Sequence, residues 1–397
     1  MPKVVFLFFF LIGILPRVFA ADVDTTRAKG DLNYEKAVLH KEILKGIDMI
    51  YNSQFSQAED IFRTIALSFP DMTAPRFYLA MVSWSRLASG YWYPSMVEQF
   101  RERLDHAIDM ARTKIELNPS DAESYFFLGG ALGFKGRFEL MRERWFASFI
   151  LASDAVTYLN KCLKIEPENK EVLLGLGIYE YYTARMSGIL KFLSYLLIRK
   201  GDREEGLKKL HKAAKHAVYS ASEAQSTLVH IYMFMEEEYE KALPLVSDLV
   251  ERYPETSRYM FLKGVCHAMM EEKDLFEKTR SAIMYKALGS PSTVESLRWE
   301  RIAVYLTAAY AMLGGNFDQA KVDLDRILKM ADPDNDPSMI AWPLLKKAMI
   351  HDLLKEREQA IDVYRKVLDM ENASGAQFLA KRYLANPILK GDPFIGY

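Results

Sequence analysis

Two segments of this chain, nearly two hundred residues apart, repeat one set of offsets. Gly46 is followed by Ala58, Phe62 and Pro70, at 12, 16 and 24 residues, and His230 is followed by Ala242, Val246 and Pro254 at the same distances. Small and apolar residues so placed describe two helices that cross closely, with a proline ending the second. Further second helices carry Ala320, Leu324, Ile327 and Pro333, then Ala360, Tyr364 and Val367. A weaker copy starts at Gly264 and ends near Leu288, with a loop over 289–293. From Tyr34 to Asn372 apolar residues recur three and four apart, with almost no strand-like alternation. The fold class is therefore all-α: a solenoid of about eight helical hairpins over 34–372, ended by a capping helix at 376–384 within a terminal segment 373–397. The tail NPILKGDPFIGY holds too much Pro and Gly to continue as helix.

Three neighbouring copies break the period in one way. After Leu79 and Ala80 the second helix, with Ala107, Ala111 and Pro119, comes 15 residues late; after Leu128 and Gly129 the delay to Ala155, Leu159 and Pro167 is 14; after Leu176 and Gly177 the delay to Gly206, Leu210 and Ala213 is 17. The inserted cores, SGYWYPSMVEQF, RERWFASFIL and SGILKFLSYLLI, are aromatic and aliphatic. All three fall inside a hairpin, so they emerge on one edge of a solenoid. The expectation is that the added length is helical, packs on itself as an extra layer, and buries Trp92, Trp145, Phe192 and Leu196.

The first twenty residues hold Lys3, an apolar run from Val4 to Leu15, Pro16 and a small residue at Ala20. They read as a secretory signal peptide cleaved between Ala20 and Ala21, the run being shorter than a spanning helix needs. Residues 21–33 read as a flexible leader. Losing Lys3 and Arg17 takes the net charge from −1 to −3, a balance with no general attraction to nucleic acid or anionic lipid. The two cysteines, Cys162 and Cys266, lie about three hairpins apart and read as buried apolar residues rather than a disulfide.

Signals for chemistry are weak. Gly175, Gly177 and Glu180 imitate part of a dinucleotide fingerprint, but no strand precedes them. DPDNDP, at 332–337, starts like a calcium loop, yet Pro337 and Pro343 stand where that loop needs Gly and Glu. No histidines pair at metal spacing, the acidic run Glu236, Glu237 and Glu238 reads as a solvated face, and no nucleophile motif is found. The chain reads as a non-enzyme with no metal and no cofactor.

The small residues at the crossings and the proline beyond resemble the tetratricopeptide repeat, over roughly 34–372. A narrower likeness covers about 165–250. There GLGIYEYY, GILKFLSYLL and GDREEGLKKLHKAA resemble a module of the Iml2/TTC39 family and of exported bacterial tetratricopeptide proteins, with Gly201, Asp202, Arg203, Gly206 and Leu207 opening the second helix. That resemblance implies an adaptor or scaffold. In the repeat register the inward positions of the first helices are Tyr51, Phe77, Met81, Trp84, Phe126, Phe134, Tyr181, Tyr182, Phe234, Met235, Tyr305 and Met312. Each also fits repeat-to-repeat core. As a set they make an aromatic, Met-containing groove suited to a protein or peptide segment. The expected function is a protein-binding scaffold of the bacterial envelope, periplasmic or secreted, with no nucleic-acid partner. The alternatives are a membrane-surface assembly factor using the apolar segment 186–198, and, more remotely, an enzyme with its site in the groove.

Overall fold

A computed structural model describes residues 25–185, 201–332, 336–370 and 375–389. The chain divides into two units, Met1–Glu42 and Ile43–Tyr397. In the first, the described residues are the opening turns of helix α1 (Thr25–Tyr51). This helix starts nine residues before the expected point, inside the stretch read as a leader. Arg27, Ala28 and Lys29 are good helix formers, and extending an existing helix costs far less than nucleating one.

In the second unit every described element is a helix. After the end of α1 come α2 (Phe55–Ser68), α3 (Thr73–Ala88), α4 (Pro94–Leu117), α5 (Ala122–Met141), α6 (Trp145–Ile165) and α7 (Val172–Ala184). Then follow α8 (Arg203–His216), α9 (Ala221–Phe234), α10 (Tyr239–Arg252), α11 (Ser257–Met269) and α12 (Lys273–Gly289). The series ends with α13 (Thr293–Leu313), α14 (Phe317–Met330), α15 (Ser338–Leu353), α16 (Arg357–Leu368) and α17 (Ala376–Ala385). Odd and even helices alternate as the two arms of hairpins, and α17 packs on α15 and α16 as a cap.

The crossings fall where the sequence places them. A Cβ on Gly46 would come within 2.5 Å of the buried Phe62 ring, and one on Gly177 within 2.9 Å of both the Gly206 carbonyl oxygen and Leu210 Cγ. Ala58, Ala242, Ala320 and Ala360, the small residues of the second helices, are fully buried. Asp202 caps α8 by accepting from the Glu204 and Glu205 amides at 2.9 and 3.0 Å.

Most hairpin turns share one conformation. Ser53, Glu143, Glu271, Gly315 and Lys355 each sit at the middle of a three-residue turn with positive φ, between 55° and 75°. In each, the next amide donates back five residues: Gln54 to Met49 O, Arg144 to Glu139 O, Glu272 to His267 O, Asn316 to Ala311 O and Glu356 to His351 O, all at 2.8–2.9 Å. These are Schellman caps, which satisfy the last carbonyls of the first helix while reversing the chain. Three of the five are clamped by side chains at the same two positions. His267 Nδ1 lies 2.7 Å from Glu272, His351 Nδ1 lies 2.6 Å from Glu356, and Arg144 donates to Glu139 at 3.1 Å.

The added length of the early hairpins is helical, with α4, α5 and α6 running to 24, 20 and 21 residues. It packs through aromatic rings. Trp92 stacks on Phe138 (6.0 Å, 2°), Phe100 meets both Phe138 and Trp84 at 5.3 and 5.5 Å, and Trp84 meets Phe134 at 5.6 Å. Trp92 is buried, at 6% exposure, but Trp145 is 47% exposed, against the expectation. The ring contact of Trp145 is edge-on, with Phe378 at 6.0 Å. Phe192 and Leu196, with the rest of the third insertion, lie outside the described residues.

Candidate functional site

The expected groove residues divide three ways. Phe77, Met81, Trp84, Tyr181, Tyr305 and Met312 are buried between hairpins and serve as core. Tyr51, Phe126, Phe134 and Phe234 are half-buried. Tyr182 and Met235 alone of the twelve are open, at 38% and 41% exposure. The structure brings Phe77, Trp84 and Phe134 together in one aromatic cluster, and Tyr181 with Tyr182 in another, but holds Tyr305 and Met312 far along the stack in the core of α13.

The inner face is also bridged by the chain itself. Tyr51 donates to Glu223 at 3.0 Å and its ring lies 5.6 Å from Tyr253; Tyr253 donates to Asp48 at 3.1 Å; the Glu255 amide donates to Asn52 at 3.0 Å; and Thr256 donates to the Tyr51 carbonyl. The end of α1 therefore seats against α9 and the α10–α11 turn. Further along, Arg298 of α13 donates to the Ser89 carbonyl and covers the Tyr91 ring at 4.2 Å. At the α5–α6 turn, Glu143 pairs with Lys381 of α17 at 2.6 Å. Among the described residues the early hairpins thus meet the later ones at three places.

What stays accessible is a strip where α7 ends beside the end of α9. Its frame is polar. Glu236 accepts from Arg203, Arg185 and Tyr181, and Arg185 also donates to the Met235 carbonyl at 3.1 Å. The Arg203 hydrogen bonds, against the burial that opposes them, hold the Glu236 carboxyl down to about 2. The acidic run that reads as a solvated face therefore includes the most engaged carboxylate of this region. Nothing periodic marks Glu236, since its partners are 33 to 55 residues away in sequence.

Arg137 of α5 reaches across to Glu223 of α9 at 3.4 Å and lies over the Trp84 ring at 5.1 Å. His230 is fixed as the neutral tautomer. Burial, then the Arg258 guanidinium beside it, push its pKa well below the usual range, while its Nδ1 contacts the Ser226 carbonyl at 2.6 Å and its Nε2 takes an Arg258 N–H. Both cysteines are buried and unpaired with each other; burial raises their thiols to about 11 for Cys162 and about 12 for Cys266, so neither is a ready thiolate. Gly175, Gly177 and Glu180 all lie inside α7, and Gly177 serves the crossing with α8. Of the calcium-like run, Asp336 is committed to a buried ion pair with Arg301 at 2.9 Å; residues 333–335 lie outside the described set.

Residues 344–374 match the sequence profile of the tetratricopeptide repeat. They cover most of α15 and all of α16, the hairpin with the buried small residue Ala360 and the His351–Glu356 clamp. No curated protein matches the sequence. Among solved structures, the chain is similar to the human IFIT1 dimer with m7Gppp-AAAA, at 13% identity and TM-score 0.47, over 83% of this chain and 68% of that one. It is also similar to the tetratricopeptide domain of P58(IPK), at 15% identity and TM-score 0.23, over 87% of this chain and 88% of that one. The 344–374 hairpin thus matches the tetratricopeptide repeat, and the chain around it is an all-helical series of hairpins that cross at small residues such as Gly46 and Gly177.

Proposed function

We propose that the chain is an exported, non-catalytic scaffold that holds a protein segment against the strip formed by Tyr182, Phe234 and Met235. The observation that carries this reading is the contrast within the strip. Tyr182 and Met235 remain open there beside the half-buried Phe234, while the polar groups around them are spent on fixing the frame, as Glu236 with Arg185 and Arg203. An apolar face on a rigid frame suits a partner's side chains better than it suits a reaction. Catalysis would need a group free to act, and both ring nitrogens of the nearest imidazole, His230, are engaged, one by the Ser226 carbonyl and one by Arg258.

A protein partner is favoured over nucleic acid by the charges. Arg185 and Arg203 are matched by Glu236 and Arg137 by Glu223, so these guanidiniums offer no row of uncommitted cations for phosphates. The IFIT1 neighbours carry capped RNA, and RNA capture is the alternative outcome of the test. The scaffold role implied by the Iml2/TTC39-like module belongs to the same proposal. The envelope setting rests on Lys3, the Val4–Leu15 run and Ala20, which lie outside the described residues.

The experiment places a photo-crosslinking residue at Tyr182 in the chain expressed with its first twenty residues. The expected result is a crosslinked polypeptide, lost in Phe234→Ser/Met235→Ser, from a protein whose N-terminus reads ADVDT. Recovery of RNA instead, or of the same polypeptide from the double variant, overturns the partner reading. An unprocessed Met1 overturns export.

A further inference from the structure

The start of α6 carries a surface that the strip at α7 and α9 does not use. Trp145 is 47% and Phe146 60% exposed, and Ile150, one turn on from Phe146, is also open. Two consecutive exposed aromatics with an open isoleucine one turn on make a contiguous apolar patch at a helix start. They are flanked by cations. Arg142 and Arg144 are exposed in the preceding turn, and Lys381 and Arg382 are exposed on α17, which meets this turn through the Trp145–Phe378 ring contact at 6.0 Å and the Lys381–Glu143 pair at 2.6 Å. Against these four cations stand two carboxylates, Glu139, which is largely buried and bonded to Arg144 at 3.1 Å, and Glu143. The patch is therefore locally cationic in a chain whose net charge is −1.

We propose that the α5–α6 turn, with the exposed end of α17 beside it, docks on an anionic lipid surface. Tryptophan and phenylalanine beside arginine form the pairing that an interface rewards: the rings enter the headgroup boundary while the guanidiniums meet lipid phosphates. No helix among the described residues is long and apolar enough to cross a membrane, so the contact is peripheral. A protein partner would use the rings and leave the arginines idle. An anionic surface uses both.

The test mixes the full chain, without its first twenty residues, with vesicles of phosphatidylglycerol and phosphatidylcholine, and with vesicles of phosphatidylcholine alone. Binding to the mixed vesicles is expected, with tryptophan emission quenched by brominated acyl chains. Trp145→Ser/Phe146→Ser should lose most of the binding and the quenching. Arg142→Gln and Arg144→Gln should each weaken binding about fivefold, the equivalent of the ~1 kcal/mol that a basic residue contributes near an anionic surface. Because these side chains are exposed, all variants should melt as the parent does, so a loss of binding cannot be a loss of fold. Equal binding to both vesicle types, or unchanged binding in the aromatic pair, overturns the proposal. So does binding that disappears only with Phe192→Ser/Leu196→Ser, which would assign the contact to the neighbouring insertion. Self-association abolished by Trp145→Ser/Phe146→Ser in a chain that ignores vesicles would identify the occupant as a second copy and likewise overturn it.

Discussion

Trp92 and Trp145 stand at comparable places, each at the start of the second arm of a lengthened hairpin, and their surroundings are opposite. Trp92 lies flat on Phe138, with Phe100 bridging to Trp84 beneath. Trp145 touches Phe378 at its edge and otherwise faces outward. Both insertions are helical and both are rich in aromatics. The difference lies in what covers them: Trp92 stacks flat on a ring of the neighbouring α5, whereas the ring contact of Trp145 is edge-on, to Phe378 of α17. In a solenoid each element is covered by its neighbours, so the burial of a residue is decided partly by a helix to which it does not belong.

The most direct way to break this comparison is to truncate both rings. Trp92→Ala should destabilise by ~3–5 kcal/mol, the range for removing a buried aromatic, and Trp145→Ala by less than ~1 kcal/mol. Chemical denaturation of the two variants decides it. Equal losses would mean that the Trp145 face is covered in solution.

The helix crossings offer a steric version of the same test. Gly177→Leu places a side chain against the Gly206 carbonyl and Leu210, and Ala242→Leu enlarges a fully buried crossing residue; each should cost ~1–3 kcal/mol. At Gly289, the last residue of α12, a Cβ would meet nothing within 4 Å, and Gly289→Ala should leave the melting temperature unchanged or slightly higher. A Gly177 variant as stable as the Gly289 variant would show that the crossing does not fall at Gly177.

Electrostatics separates the early hairpins from the later ones less sharply, because both hold one deeply engaged carboxylate. Burial alone would raise Glu59, but hydrogen bonds from Arg63, Arg103 and Arg86 bring it down to about 2, as Arg203 does for Glu236. Both folded values lie below the ordinary carboxylate value, so their stabilisation is present above about pH 4.5 and is lost as the pH falls toward 2. Arg203→Gln should reduce stability at pH 7 by ~1 kcal/mol, discounted for the partly exposed guanidinium, and should shrink the acid-induced loss. Stability measured at pH 7 and pH 3 in parent and variant checks the sign. An acid-induced loss that is unchanged in the variant would remove Glu236 from the account.

What could be read from the sequence follows the range of the forces involved. Crossing residues are legible because a steric requirement between two arms of one hairpin repeats at fixed offsets, which is why Gly46, Ala58 and Phe62 locate the fold. The Asp202 cap is legible for the same local reason. The seating of Tyr51 on Glu223, and of Arg298 on the Ser89 carbonyl, joins residues 172 and 209 apart through single polar bonds, and such contacts leave no period. Six of the twelve inward positions are core because the same apolar residue satisfies a groove and a repeat interface equally well. The partners of Glu236 were hidden by its company in an acidic run. One signal was present and unread: a residue able to bond its counterpart five positions on, His267 with Glu272, His351 with Glu356 and Glu139 with Arg144, marks a Schellman turn clamped from its side chains.

Those turns supply the smallest and most uniform test, because they recur on both sides of the comparison. Glu143, Glu271 and Lys355 adopt positive φ, where an L side chain is strained by ~1–2 kcal/mol, whereas Gly315 occupies the same place without strain. Replacing Lys355 by Gly removes the strain but frees the unfolded chain by ~0.5–1 kcal/mol, so the net gain should be only about 0.5 kcal/mol. The same change at Glu143 also deletes the pair with Lys381, and should gain less or nothing. Thermal unfolding of Lys355→Gly, Glu271→Gly and Glu143→Gly ranks them. If Glu143→Gly gained as much as Lys355→Gly, the Glu143–Lys381 pair between the α5–α6 turn and α17 would contribute nothing to stability.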